Sequence, residues 1–388
     1  MKIGIFGGSF NPPHIGHVSA AEKTVQALEL DKLIIIPVGD PPHKELPDET
    51  PTDEQRISLV KAAFSHIDIA EISDMEMKRH GKSYTITTLE YFRDIYPDDE
   101  LFLLMGTDMF ITLDQWHRGD EILQLIIPAV FARENAEDDI IKNKADEYAA
   151  KFGTKCEIMN INVTEAASTD IRVLLQNREG RELLGDEVYS LIIKNRYYGA
   201  RPDFEWLRSK SYERHKPKRI PHVKGCEEEA GRLAERWGYD VETAREAGIL
   251  HDITKKLSLE EQLILCSKYD ILNDALEDKS EKLLHSKTGA ALSRDLFGIS
   301  EDIYSAIRWH TTGRADMTLL EKIIYLADYI EPNRDFDGVE PLRKLCYEDI
   351  DAAMALGLKM SIEDLEERGV PIHERTLEAY KYYSKVKG

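Results

Sequence analysis

Two patterns of apolar positions divide the chain. Up to about residue 200, short β-rich runs (Lys2 to Phe6, Lys32 to Val38, Leu101 to Met105, Ile126 to Ala132 and Cys156 to Ile161) read as strands. Between them lie segments of helical character, among them Val18 to Leu28, Thr52 to Phe64 and Ile86 to Ile95. Strand and helix in alternation predict parallel strands joined by right-handed crossovers, hence a doubly wound, Rossmann-like α/β sheet with ligands at the carboxyl ends of its strands. Beyond Gly199-Ala200-Arg201-Pro202 the apolar residues recur every three or four positions and no period-two run remains, so the rest is predicted all-α. Asp203 is placed to cap the first helix there, and the boundary falls near residue 202, giving domains 1–202 and 203–388.

Length and charge agree with two working domains. A chain of 388 residues exceeds what one ordinary core supports. Lys and Arg total 51 against 72 Asp and Glu, a net charge of −21 that argues against nucleic acid or an anionic membrane as partner. The basic cluster Arg208, Lys210, Arg214, Lys216, Lys218 and Arg219 reads as one helix face in an acidic protein. No run approaches the ~20 apolar residues of a membrane span, and Ile3 to Phe6 is too short for a signal-peptide core, so a cytoplasmic protein is expected. Cys156, Cys226, Cys266 and Cys346 form no C-x-x-C and read as free thiols. A homo-oligomer is permitted by this composition and not required by it.

The first concentration of chemistry follows the first strand: Gly7-Gly8-Ser9-Phe10-Asn11-Pro12-Pro13-His14-Ile15-Gly16-His17, leading into a helix. Backbone N–H groups in such a turn and the positive helix end make a phosphate cradle. His14 and His17, three residues apart at the helix start, can point at one bound triphosphate. About 150 residues on, Ser168-Thr169-Asp170-Ile171-Arg172 offers hydroxyls and a guanidinium fork suited to further phosphates.

The H-x-G-H arrangement resembles the nucleotidylyltransferase superfamily, and residues 1 to about 199 resemble bacterial nicotinate mononucleotide adenylyltransferases. That resemblance rests also on Pro41-Pro42-His43-Lys44, Ser83-Tyr84-Thr85, Met105-Gly106-Thr107-Asp108 and Trp116. It implies adenylyl transfer from Mg²⁺-ATP to nicotinate mononucleotide in NAD biosynthesis. ATP would be held by Gly7, Gly8, Ser9, Phe10, His14, His17, Gly106, Asp108, Ser168, Thr169 and Arg172, with His14, His17 and Arg172 catalytic. Asn11, Lys44, Thr85, Trp116 and Arg133 would meet the pyridine nucleotide, the indole stacking on its ring. Ala166-Ala167 stands where the family usually has Ile-Ser, which removes one hydroxyl. A pantetheine-phosphate adenylyltransferase is a competing reading, disfavoured by Pro41-Pro42-His43-Lys44 and Trp116.

The helical half carries His222, the pair His251-Asp252, His285, His310 and Asp328, each in or beside a helical segment. His251-Asp252 follows a small, apolar stretch, and an unpaired Asp at the inner end of a packed helix would be costly unless a metal relieved it. Imidazoles and carboxylates without thiolate suit a two-metal Fe, Mn or Mg centre better than structural zinc, with Lys255 and Arg308 nearby. The order H, HD, H, H, D resembles the HD-domain phosphohydrolases. The text around Trp309-His310-Thr311-Thr312-Gly313-Arg314 and Ala327-Asp328 to Arg334 is similar to the branch that cuts diadenosine tetraphosphate symmetrically to two ADP. What this implies is a di-iron centre on His222, His251, Asp252, His285, His310 and Asp328. His251, Asp252 and Lys255 would be catalytic, with Arg314 and Arg334 on phosphate. A helical half that hydrolyses another nucleotide, or only binds one to tune the transferase, is the alternative.

Overall fold

The computed structural model describes residues 1–41, 46–47, 49–79, 81–132, 138–161 and 163–385. Six strands, β1 (Lys2–Gly8), β2 (Lys32–Pro37), β3 (Ala70–Ile72), β4 (Glu100–Gly106), β5 (Ile127–Ala132) and β6 (Glu157–Asn160), form one parallel sheet in the order β3-β2-β1-β4-β5-β6. β1 lies inside it, its Ile5 opposite Ile34 of β2 and Leu103 of β4, and Ile3 to Phe6 are buried, as expected of a parallel sheet covered on both faces. One core gathers Ile3, Ile5, Leu101, Leu103 and Met105, alternate residues of β1 and β4, with Ile86, Leu89 and Phe92 of the helix Thr85–Ile95.

The strand order reverses beside β1, which opens a crevice at the carboxyl ends of β1 and β4, where Gly7-Gly8 and Gly106 stand. The expected doubly wound fold is therefore present. β3 has no counterpart among the expected strands because it is a three-residue edge strand, partly exposed, with no apolar run to mark it. The first helix spans Ile15–Leu28, starting three residues before the expected Val18, so His14 is its N-cap and His17 lies in its first turn.

The chain divides into two compact units, Met1–Arg201 and Pro202–Gly388, and the described residues of the second contain helices and turns only. Local signals start these helices: Asp203 Oδ1 accepts from the Trp206 N–H at 2.8 Å, and Ser258/Glu261 and Thr318/Glu321 close reciprocal capping boxes. The basic cluster is not one helix face. Arg208 and Lys210 belong to the helix Phe204–Tyr212, where Arg208 is forked onto Glu227 at 2.8 and 2.6 Å, whereas Lys218 and Arg219 lie in a separate short turn, Pro217–Arg219.

The helices Ile220–Trp237 and Val241–Leu250 pack closely because Gly248 has no side chain: a Cβ there would lie 3.0 Å from the Cys226 carbonyl oxygen and from the Glu227 Cα. Backbone cannot yield cheaply, so Gly248→Ala should cost about 1–3 kcal/mol and lower the unfolding temperature of the helical unit. An unchanged thermal transition would contradict this close approach.

Candidate nucleotide cleft and candidate metal centre

The glycine-rich turn leaving β1 is held by one buried and two half-buried polar side chains. Arg56, fully buried in the helix Asp53–Phe64, donates from Nη1 to the Ser9 carbonyl at 3.2 Å and from Nη2 to Asp53 at 2.7 Å. Arg172 Nη1 donates to the Asn11 carbonyl at 2.7 Å, and Ser168 Oγ to the Pro12 carbonyl at 3.0 Å. The two sequence-distant phosphate motifs are thus tied together by bonds to the main chain.

Two cavities meet at this turn, sharing Gly7, Gly8, Ser9 and Met109. The first is mainly apolar and holds Thr85 and Trp116, with Tyr84, His117 and the buried carboxylate of Glu76, which accepts from Thr88 Oγ1 at 2.6 Å. The second brings together His14, His17, Gly106, Asp108, Ser168 and Thr169. Ser168 opens the helix Ser168–Gln176, whose N-cap, Ala167, makes no side-chain cap, leaving the terminal N–H groups for a ligand. Gly16 lets the two motifs close up, since a Cβ would lie 2.6 Å from the Thr164 carbonyl oxygen.

Two expectations for this unit are corrected. Phe10 has no exposed surface; its ring meets those of Phe6, Phe64 and His17 edge-on and buttresses His17 instead of lining the cleft. Asn11, 2% exposed, spends its amide internally, donating to Thr50 Oγ1 and accepting from the Tyr198 hydroxyl, each at 2.8 Å. Its buried role comes from Tyr198, which no local motif announces. Arg172 lies beside the cleft, braced on Asn11 and on Thr169 Oγ1 at 3.3 Å. Lys44 and Arg133 lie outside the described residues.

The two cleft imidazoles stack at 3.7 Å between centroids, and the His14 N–H donates to His17 Nδ1 at 3.3 Å. Burial pushes His14 down to about 4; burial, then the neighbouring His14, pushes His17 to about 3. Both rings are therefore neutral at pH 7 before a phosphate arrives, and they act first as dipolar donors.

In the helical unit His222, His251, Asp252, His285, His310 and Asp328 all converge, carried by five elements: the helices Ile220–Trp237, Glu281–Phe297 and Leu319–Ile330, and the carboxyl ends of Val241–Leu250 and Glu301–Trp309. His251 and His285 Nδ1 each face a main-chain carbonyl oxygen at 2.7 Å, as does His310 Nδ1. Carbonyls only accept, so these nitrogens carry the protons and each Nε2 presents a lone pair. His222 Nδ1 is oriented by Glu331 Oε1 at 3.1 Å, and a Cβ at Gly225 would collide with that carboxylate.

Asp252, with no exposed surface, divides its oxygens between two donor sets. Oδ2 lies 3.8 Å from His222 Nε2 and 3.6 Å from His251 Nε2, near Asp328, whose Oδ1 is 3.1 Å from His222 Nε2. Oδ1 lies 3.1 Å from His285 Nε2 and 3.5 Å from His310 Nε2. Among the described residues no hydrogen-bond donor reaches this buried Oδ1, and the facing nitrogens cannot supply one. Lone pairs also confront each other at 3.3 Å (His222/His251) and 3.0 Å (His285/His310). Such an arrangement wants cations, and the donor set fits divalent metal. Burial opposes charge on Asp252 and Asp328, yet the cations Lys255 beside the first and Arg334 beside the second favour it, and both stay well below the usual carboxylate range. Burial also keeps His251, at about 3, and His285, at about 4, unprotonated and ready to ligate.

Lys255 Nζ stands 3.0 Å from His285 Nε2, beside the centre as expected. Three arginines expected near this centre make other contacts here. Arg314 pairs with the buried Glu321 at 2.9 Å. Arg334 donates to Asp328 Oδ1 at 2.7 Å. Arg308 lies over Trp309 and faces Glu277 and Arg375, away from the ligand set, and burial lowers it to about 10. Cys226 Sγ lies 3.4 Å from His222 Nε2, a thiol neighbour absent from the expected donor set; its i, i+4 spacing from His222 was the available signal. Arg219 and Glu331 are further partners of the centre that no motif pointed to.

Fold and site together point to a nucleotidyltransferase unit followed by a helical unit whose buried donors could hold metal, and comparison with known proteins agrees. A cytidylyltransferase-like family model matches residues 5–173, and an HD domain model residues 219–333. A probable nicotinate-nucleotide adenylyltransferase of Oceanobacillus iheyensis is 36% identical over 199 residues, 51% of this chain and 97% of that protein. A Mycoplasma genitalium protein named probable nicotinate-nucleotide adenylyltransferase/Ap4A hydrolase is 28% identical over 367 residues, 92% of this chain and 97% of its own. A solved Clostridium acetobutylicum structure, described as a predicted HD superfamily hydrolase involved in NAD metabolism, is 37% identical, covers 47% of this chain and 97% of its own, and has a TM-score of 0.46. The chain belongs to the nicotinate-nucleotide adenylyltransferase family and carries an HD domain after its transferase unit. Among the described residues no helix is long and apolar enough to cross a membrane.

The lowered histidines set a pH dependence. His14 and His17 titrate in the unfolded chain near ~6.5 and in the fold near 4 and 3, so acid favours unfolding. Their stabilisation is complete above pH ~6.5 and is lost as pH falls from there towards 4. Thermal melting of the transferase unit should drop across that window, and less so in a His14→Gln, His17→Gln double variant. An equal drop in the variant would refute the assignment.

Proposed function

We propose that the N-terminal unit adenylylates nicotinate mononucleotide with Mg²⁺-ATP. A nucleotide phosphate oxygen attacks the α-phosphorus, the bond to the α,β-bridging oxygen breaks, and pyrophosphate leaves with nicotinate adenine dinucleotide formed. The observation that carries this is the pair of cavities meeting at Gly7-Gly8-Ser9: an apolar one with Trp116 for a pyridine ring, and one with His14, His17 and an uncapped helix end for a triphosphate. The attacking phosphate is ionised at neutral pH, so the residues need only align the reactants and stabilise charge developing at the α-phosphate. His17→Ala should lower turnover about 10²- to 10³-fold while moving the KM values little. A loss confined to KM would make His17 a binding residue only.

For the helical unit we propose symmetric hydrolysis of diadenosine tetraphosphate: water adds to a central phosphorus, the central P–O–P link breaks, and two ADP leave. Asp252 dividing its oxygens between two donor sets supports a centre of two divalent ions, taken to be iron, held by His222, His251, Asp328 and Asp252 on one side and His285, His310 and Asp252 on the other. When bound, such ions supply Lewis acidity towards phosphoryl oxygens and acidify water. Lys255, beside His285 and 3.8 Å from Asp252 Oδ1, is set to bind a phosphate oxygen or hand over a proton. Protein purified without oxygen should contain metal and convert diadenosine tetraphosphate to ADP alone, and His251→Ala should abolish this while leaving adenylyl transfer intact. A metal-filled protein without this hydrolysis would sink the substrate assignment in favour of another nucleotide or a regulatory site.

A further inference from the structure

The basic turn Lys216-Pro217-Lys218-Arg219 lies directly ahead of the helix that carries His222. Its last residue reaches the metal centre. Arg219, three residues ahead of His222, donates from Nε to Asp252 Oδ2 at 2.9 Å, and its Nη2 contacts the same oxygen. Nη2 also stands 2.8 Å from His222 Nε2 and 4.0 Å from Asp328 Oδ1. One guanidinium therefore addresses three donors of the first set. A guanidinium offers no lone pair, so it cannot join a metal's ligands. It competes for the same oxygen and nitrogen lone pairs, and a divalent ion there repels it.

The other surroundings sharpen this. Asp328 already has Arg334 at 2.7 Å, so its charge is compensated from elsewhere. Asp252 has no exposed surface, whereas the Arg219 side chain is 28% exposed and has a path outward; Lys216 and Lys218, just before it, are exposed. A cation that can leave is matched to an anion that cannot.

We infer that Arg219 is the resident counter-cation of the first donor set. It compensates Asp252 while no metal is bound, is driven off by a divalent ion, and then, kept close by the chain, takes a phosphate oxygen of an incoming polyphosphate. This rests on the helical unit being a metal-dependent phosphohydrolase and adds a positioning residue to it.

The test is calorimetric titration of metal-stripped, full-length protein with Mn²⁺ alone, comparing wild type, Arg219→Gln and Arg219→Lys. Charge-assisted hydrogen bonds must break before metal enters the wild type, so Arg219→Gln should bind its first Mn²⁺ about tenfold more tightly or better. Arg219→Lys, a cation without the fork, should fall between and carries the test if the Gln variant does not fold. Inorganic phosphate should then bind Mn²⁺-loaded Arg219→Gln about tenfold more weakly than loaded wild type; phosphate in the nucleotide cleft is common to both proteins and cancels. Mn²⁺ affinity unchanged or reduced in both variants would overturn the competition, and equal phosphate affinity the phosphate role. Neither titration requires turnover, so failure of the hydrolase reading would show separately.

Discussion

A carboxylate with no exposed surface is the constraint around which the helical unit is built. Left alone, a buried Asp252 would cost several kcal/mol or take up a proton. Two cations instead keep it charged, Lys255 beside one oxygen and Arg219 on the other, while three imidazoles pinned by main-chain carbonyls and a fourth oriented by Glu331 turn lone pairs towards it. The helix packing serves the same end, since Gly248 and Gly225 admit the close approaches that bring Asp252 and Glu331 inward.

The transferase unit meets a related demand at its glycine-rich turn. Here the buried groups that must be paired are main-chain carbonyls, and Arg56 and Arg172 pair them, while Tyr198 fixes the intervening Asn11. The turn is thereby rigid before nucleotide binds, which lets its N–H groups and the neutral His14–His17 pair be aimed in advance. In both units burial keeps histidines unprotonated, as hydrogen-bonding dipoles in one and with lone pairs open to a metal in the other.

Much of this is legible in the residues. Gly7 to His17 and Ser168 to Arg172 concentrate phosphate-binding chemistry in short segments, and the parallel sheet follows from the alternation of its elements, so the position of the cleft at the strands' carboxyl ends follows from both. The convergence of His222, His251, Asp252, His285, His310 and Asp328 is legible because their order carries it. What escapes depends on distance or competition. Tyr198 reaches Asn11 across 187 positions and Glu331 reaches His222 across 109, leaving no local pattern. Arg314 and Arg334 stand in segments that suit phosphate binding, but packing sets Glu321 and Asp328 against them. Phe10 sits within the motif, yet the core claims its ring.

Asp252 stands between two donor sets rather than within one. Anomalous diffraction from crystals of the full chain grown with Mn²⁺ can show whether each set takes its own ion. Two separate peaks are expected in the helical unit, one bounded by His222, His251 and Asp328, the other by His285 and His310, each adjoining one oxygen of Asp252. A single peak bound by donors of both sets, or peaks only at other carboxylates, would contradict this.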